Sequence, residues 1–171
     1  MDLKGWRIDR AVEFAFPDGA VIPPAAFAVV SNDPEKLRAR LTPDEGKLVF
    51  GPMKGKLSNS GDNIALLNPW GDVMDRVRYS DRPPWPSGAD GGGFSLELLH
   101  PDLDNRWPQA WTLGPSGGTP CRKNAREVKA MAPAVAGVRH EPAVPGPEDD
   151  VTIHAHVLDT GALSEVAVIF R

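Results

Sequence analysis

The sequence predicts an all-β protein whose short strands stack in two layers. Three observations carry that reading. First, 18 Pro and 17 Gly are spread along the 171 residues and punctuate short apolar runs instead of pooling in one tract, as many strands joined by tight turns require. Second, several runs alternate apolar and polar side chains, the period of two that turns one face of a strand toward a core. Third, turn formers such as Pro17-Asp18-Gly19 and Asn68-Pro69-Trp70-Gly71 separate those runs. This pattern argues against a helical bundle.

Phe14-Ala15-Phe16 reads as a strand running into the Asp18-Gly19 turn, where glycine supplies the positive φ of a sharp reversal. Val21-Ile22-Pro23-Pro24 leads into Phe27-Ala28-Val29-Val30, a short buried strand. One helix is expected next. Asp33 caps it, Pro34 suits its first position, Leu37 and Leu41 share a face, and Thr42-Pro43 stops it. Lys47-Leu48-Val49-Phe50 is the following strand, closed by Gly51-Pro52, and Leu57 to Asp62 is a loop. Ile64-Ala65-Leu66-Leu67 resumes β structure, and Val73 to Tyr79 folds back on it as a hairpin partner. Val73, Val77 and Tyr79 share one face with Asp75, which needs a hydrogen-bond partner if buried. Met74, Arg76 and Arg78 face solvent.

Pro83-Pro84-Trp85-Pro86 and Asp90-Gly91-Gly92-Gly93 form a long irregular crossing. Phe94-Ser95-Leu96-Glu97-Leu98 then alternates, with Phe94, Leu96 and Leu98 inward and Ser95 and Glu97 outward. The acidic loop Pro101 to Asn105, the loops around Trp107 and Trp111, and Gly117-Gly118-Thr119-Pro120 end the first unit. Residues 121–133 turn polar and then Ala-rich, a linker with a brief helix at most. Val138-Arg139-His140 opens a second unit, Val151 to Val157 alternates strictly, and Glu165 to Phe170 is a further strand after the Asp159-Thr160-Gly161 turn. About three strands cannot bury a sandwich face, so residues 134–171 are expected to be a partial domain.

The net charge is −4 and the 19 basic residues are scattered. No basic stripe matches a nucleic-acid backbone, so no nucleic-acid partner is expected. No apolar run approaches the length that crosses a bilayer, so no membrane insertion is expected either. Met1 to Trp6 lacks the apolar core of a signal peptide. With Cys121 as the single cysteine, no internal disulfide forms.

Residues able to carry chemistry are few. Asp102, Asp104 and Asn105 resemble the start of a calcium loop but lack the glycine and distal glutamate of an EF-hand. As turn-forming residues they need no ion, and no cofactor is expected beyond a calcium ion at this triplet. His154 and His156 fall on one face of a strand, as zinc ligands can, yet strand alternation accounts for them. Cys121 lies in a Lys/Arg-rich segment that would lower its pKa, though a free linker thiol explains it. Gly91 to Gly93 precedes a strand, the wrong context for cradling phosphate. Trp6 and Trp111 read as core plugs. Trp85 and Trp107 read either as plugs or as exposed platforms that stack on sugars or anchor a protein partner. These two are the candidate binding residues, and no catalytic residue is assigned.

The motifs Asp2-Leu3-Lys4-Gly5-Trp6, Phe16-Pro17-Asp18-Gly19, Ile22-Pro23-Pro24, Gly51-Pro52, Leu57-Ser58-Asn59-Ser60-Gly61, Pro84-Trp85-Pro86, Asp90 to Leu98, Asp104-Asn105, Trp111 and Gly118-Thr119-Pro120 follow one another in an order that resembles the bacterial lamin-tail domain. The resemblance covers residues 2–120 and implies an immunoglobulin-like β-sandwich, with residues 121–133 as linker and 134–171 as the start of an immunoglobulin- or fibronectin-like domain. Two departures stand out. Family members carry two further strands before the Asp-Leu-x-Gly-Trp motif, so the resemblance implies a sandwich lacking its N-terminal strands. Their Gly-rich exit is replaced here by Cys121-Arg122-Lys123-Asn124. Each buried side chain contributes roughly 1.5–3 kcal/mol against a total of about 5–15 kcal/mol, so a sandwich short of strands is expected to be marginal.

The resemblance further implies a non-catalytic structural or interaction module of a larger exported bacterial protein. It would serve in adhesion, spacing or assembly, outside the cell or in its envelope. Its partners would be proteins, envelope polysaccharide or neighbouring domains of the parent chain. The alternatives are a carbohydrate-binding module using Trp85 and Trp107 and a metal-dependent phosphoesterase centred on Asp102 and Asp104.

Overall fold

The computed structural model describes residues 1–169. Its main body is a five-stranded antiparallel sheet built from β1 (Arg7–Arg10), β2 (Val12–Ala15), β5 (Lys54–Gly55), β6 (Gly61–Leu67) and β7 (Val73–Ser80), in the order β5-β2-β1-β6-β7. Pairing of Arg7 with Leu67 and Ile8 with Leu66 sets the register between β1 and β6. Pairing of Ile64 with Val77 and Leu66 with Asp75 continues it to β7. Because side chains alternate, Ile8, Leu66, Ile64, Asp75 and Val77 share one face of this sheet, and Arg7, Ala65 and Leu67 share the other. Val12, Ala65 and Leu67 are buried, with Leu3, Ala20 and Val49 completing the neighbouring core. The Asp18-Gly19 turn forms as expected, with Gly19 at φ 82° and the Ala20 amide donating to the Pro17 carbonyl at 3.1 Å.

The segment from Phe27 to Phe50 departs from expectation in three ways. The strand anticipated over Phe27–Val30 is only β3 (Val29–Val30), and Phe27 is 43% exposed. It pairs in parallel with β4 (Val49–Phe50), Val29 opposite Val49. The helix stops at Arg38 (α1, Pro34–Arg38), capped by Asp33, whose carboxylate accepts from the Lys36 amide at 3.0 Å. Thr42-Pro43 does more than end it, since Thr42 caps a second helix, α2 (Pro43–Gly46), in a reciprocal capping box with Glu45. Thr-x-x-Glu is the sequence signature of that box. Gly51 sits at φ 140°, and a Cβ there would collide with the Ser31 carbonyl. The chain can therefore turn away from β4 there only with glycine.

The second layer contains β8 (Phe94–Leu98) and β9 (Trp111–Ser116), an antiparallel pair with a bulge opposite Ser95. Strand β9 begins at Trp111, where a loop was expected, and it forms although Gly114 and Pro115 depress strand propensity. The predicted facing of β8 holds for Leu96, which lines a cleft, and Leu98, which packs on Leu103 and Ala110, but fails at Glu97 and Phe94. Glu97 is 3% exposed and Phe94 is 46% exposed. The cause at Glu97 is local: Gly114 leaves a side-chain-free hollow that the Glu97 carboxylate fills. Among the described residues the architecture is that of an all-β immunoglobulin-like sandwich with two short α-helices and two 3-10 turns.

Residues 121–133 hold no helix and lie along β8. Asn124 Nδ2 donates to the Leu98 carbonyl at 3.0 Å, the Val128 amide to the Leu99 carbonyl at 2.9 Å, and the Arg126 amide to Glu97 at 3.1 Å. Beyond them β10 (Ala134–Glu141) and β11 (Thr152–Leu158) form a hairpin, with Val135 opposite Val157. Leu103, Ala110, Ala136 and Leu158 make a buried cluster that joins this hairpin to the loop between β8 and β9. The strand expected over Glu165–Phe170 is not formed at 165–169, where Val166, Val168 and Ile169 are exposed. With no neighbour to take up its backbone groups, an apolar run does not become a strand. Phe170 lies outside the described residues.

Candidate functional site

A cleft of about 440 Å3 lies between the layers. Its floor is the face of β6 and β7 bearing Ile64, Leu66, Val77 and Tyr79, and its wall carries Leu96, Trp85 and Trp111. Two of its three aromatics are each held by a specific bond. The Tyr79 hydroxyl donates to the Ser58 carbonyl at 2.7 Å, and Trp111 Nε1 donates to the Asn105 carbonyl at 2.9 Å. Burial, and then the charge of Asp62, push the Tyr79 phenol above its ordinary pKa of 10.0, so it stays a donor at neutral pH. Trp85 and Trp111 lean on each other with ring centroids 5.9 Å apart.

Trp85 is therefore not the open platform that its place between prolines suggested. It is 8% exposed and forms part of the cleft wall. Trp107 is half-buried too. Its ring rests on His156 with centroids 4.7 Å apart and faces Gly137 so closely that a Cβ there would collide with it. Sugar stacking needs a free aromatic face, and neither residue offers one among the described residues. The structure thus brings Trp85 together with Trp111, and leaves Trp107 in the core under the β10–β11 hairpin.

The acidic loop separates its three candidates. Asp104 is gripped by the fork of Arg106, with Nη2 at 2.6 Å from Oδ2, which holds its carboxyl below the ordinary value of 3.8. Asn105 turns away and donates to Asp75 at 2.8 Å. Asp102 lies beside His100, its Oδ2 at 3.7 Å from Nδ1. Among the described residues no three His, Cys, Asp or Glu side chains converge as metal ligands. Asp75, which would need a hydrogen-bond partner if buried, is exposed, and it accepts from the Asn105 side-chain amide. Cys121 reverses its expected shift, since burial, followed by the charge of Glu45, raises the thiol above 9.0 despite Arg122. A thiol held protonated is a poor nucleophile.

The most exposed aromatic among the described residues is one that sequence reasoning treated only as a turn residue. Trp70 is 85% exposed at the tip of the β6–β7 hairpin, with Val73 and Met74 exposed beside it. Asn68, itself 6% exposed, pins the tip. Its Oδ1 accepts from the amides of Trp70 at 3.0 Å and Asp72 at 2.9 Å, and its Nδ2 donates to the Asp72 carboxylate at 2.9 Å. The available signal was the Asn-Pro-Trp-Gly order, since Asn is the residue that bonds backbone amides two positions on.

The family model described as Lamin Tail Domain matches residues 1–81. Those residues belong to the lamin tail domain family. The match takes in the whole five-stranded sheet, both helices and the β3–β4 pair, and it stops short of Trp85 and β8. No curated protein and no solved structure matches the chain. At the coarse level a lamin tail domain is an immunoglobulin-like structural or interaction module, a family that is generally non-enzymatic.

Proposed function

We propose that this protein is a contact-making module of a larger exported bacterial protein, serving in adhesion, spacing or assembly outside the cell or in its envelope. Residues 2–120 act as the lamin tail unit, on which the β10–β11 hairpin packs through Ala136 and Leu158. The observation that carries the reading is Trp70, an indole 85% exposed on a tip that Asn68 holds rigid. A large aromatic at full exposure is unfavourable in water and is enriched at the centres of protein interfaces, where little side-chain entropy is lost on docking. The lamin tail family of the first 81 residues supports the same role. Partners are a protein or a cell-envelope polysaccharide, met by surface complementarity without bond-making chemistry.

The test is retention of envelope protein and polysaccharide fractions on the immobilised chain, with Trp70→Ala run in parallel. Wild type is expected to retain a defined component, and the variant to lose most of it with an unchanged thermal melt. Equal retention by both removes Trp70 from the role, and no retention from any fraction overturns the reading.

A further inference from the structure

We propose that the cleft between β6–β7 and the Trp85–Trp111 wall binds a small organic cation, an apolar aromatic or branched aliphatic body carrying one ammonium group. The inference goes beyond the contact-making role and does not depend on Trp70.

Its volume of about 440 Å3 lies in the range of small-molecule sites, roughly 300–1,000 Å3. Ile64, Leu66, Val77 and Leu96 offer carbon surface to an apolar body. The ring of Trp111, half-buried in the same wall, adds an aromatic surface of the kind that attracts ammonium groups. The bonds from Trp111 to Asn105 and from Tyr79 to Ser58 fix these walls before any ligand arrives, which lowers the ordering cost of binding.

Charge decides the ligand class. Asp75, Asp81 and Asp90 line the cleft against a single cation, Arg76. Arg76 is turned to Asn63, its Nε donating at 2.9 Å, and Asp75 is occupied by Asn105. Asp81 and Asp90 enter no ion pair among the described residues. An ammonium seated there relieves the excess of negative charge, whereas a carboxylate would add to it.

The probes are phenethylammonium, phenethyl alcohol and hydrocinnamate, titrated into the full chain at neutral pH and followed by ligand-observed NMR and tryptophan fluorescence. The cation is expected to bind about tenfold tighter than the alcohol, and the carboxylate not at all. The Asp81→Asn/Asp90→Asn variant should bring the cation down to the level of the alcohol with an unchanged thermal melt. Ala89→Phe, which fills the cleft, should abolish both. The proposal fails if cation and alcohol bind equally, if the carboxylate competes, if the amide variant keeps full affinity, or if the cation does not bind at millimolar concentration. Should Ala89→Phe misfold, the amide variant still decides the question.

Discussion

Replacing Glu97 tests the most consequential departure from the alternating pattern of β8. Its carboxylate is 3% exposed and accepts from Thr119 Oγ1 at 2.8 Å and the Arg126 amide at 3.1 Å, with Ser95 Oγ at 3.4 Å. It thereby ties residues 119 and 126 to the strand. Each hydrogen bond to a charged group contributes roughly 1.5–3 kcal/mol. Two circumstances reduce the total. No Lys or Arg pairs with Glu97 among the described residues, so alanine also ends the cost of holding a lone carboxylate out of water. Arg126 is an exposed residue, so water can reach its amide. The expected loss for Glu97→Ala is therefore about 2–3 kcal/mol. At roughly 2–4 °C per kcal/mol this lowers Tm by about 4–12 °C. Glu97→Gln keeps a neutral acceptor and should lose about 1 kcal/mol. Gly114→Ala should destabilise as well, since its Cβ would collide with Ser95 Oγ and the Glu97 carboxyl carbon. The double variant Glu97→Ala/Gly114→Ala should lose less than the sum. Urea melts followed by tryptophan fluorescence and circular dichroism read the change as a shift in midpoint at constant slope. An alanine variant within about 0.5 kcal/mol of wild type, or a glutamine variant worse than alanine, would refute the reasoning.

Two further outcomes follow from charge and capping. Glu45 is held at about 2, down from 4.5, first by the side-chain bond from Arg122 and then by its bonds to Thr42. A carboxylate lowered in the folded state contributes stability that is complete above pH 4.5 and drains away as pH falls toward 2. Glu45→Gln should therefore flatten the loss of stability across that window in acid titrations of Tm, and an unchanged slope counts against the bond to Arg122. Asn68→Ala frees two amides and one carboxylate at the hairpin tip and should cost about 2 kcal/mol, read by urea melts, while Trp70 fluorescence anisotropy falls as the tip loosens. Undiminished anisotropy would show that the tip is held by other contacts.

Much of the fold was legible because it rests on local chemistry. The Asp18-Gly19 turn, the Asp33 cap, the Asn68 turn and the β6–β7 hairpin each depend on residues within a few positions of one another, and each stands where the sequence placed it. The capping box of Thr42 and Glu45 was equally local and went unread because Pro43 suggested a stop. The site was less legible. Trp85 and Trp107 were singled out as tryptophans in loops, but their exposure depends on Trp111 and His156, which come from other parts of the chain.

The sequence by itself determined that this is an all-β chain and where its turns fall. Those properties follow from backbone preferences and from the period of the apolar residues. Only the tertiary structure decided that Glu97 of β8 is buried while Phe94 is not, that β9 exists despite Gly114 and Pro115, and that Trp85 lines a cleft while Trp70 stands in solvent. The physical reason is the same in each case. Burial belongs to the space between distant segments, and a hollow over one glycine can draw in a glutamate that alternation alone would leave in water.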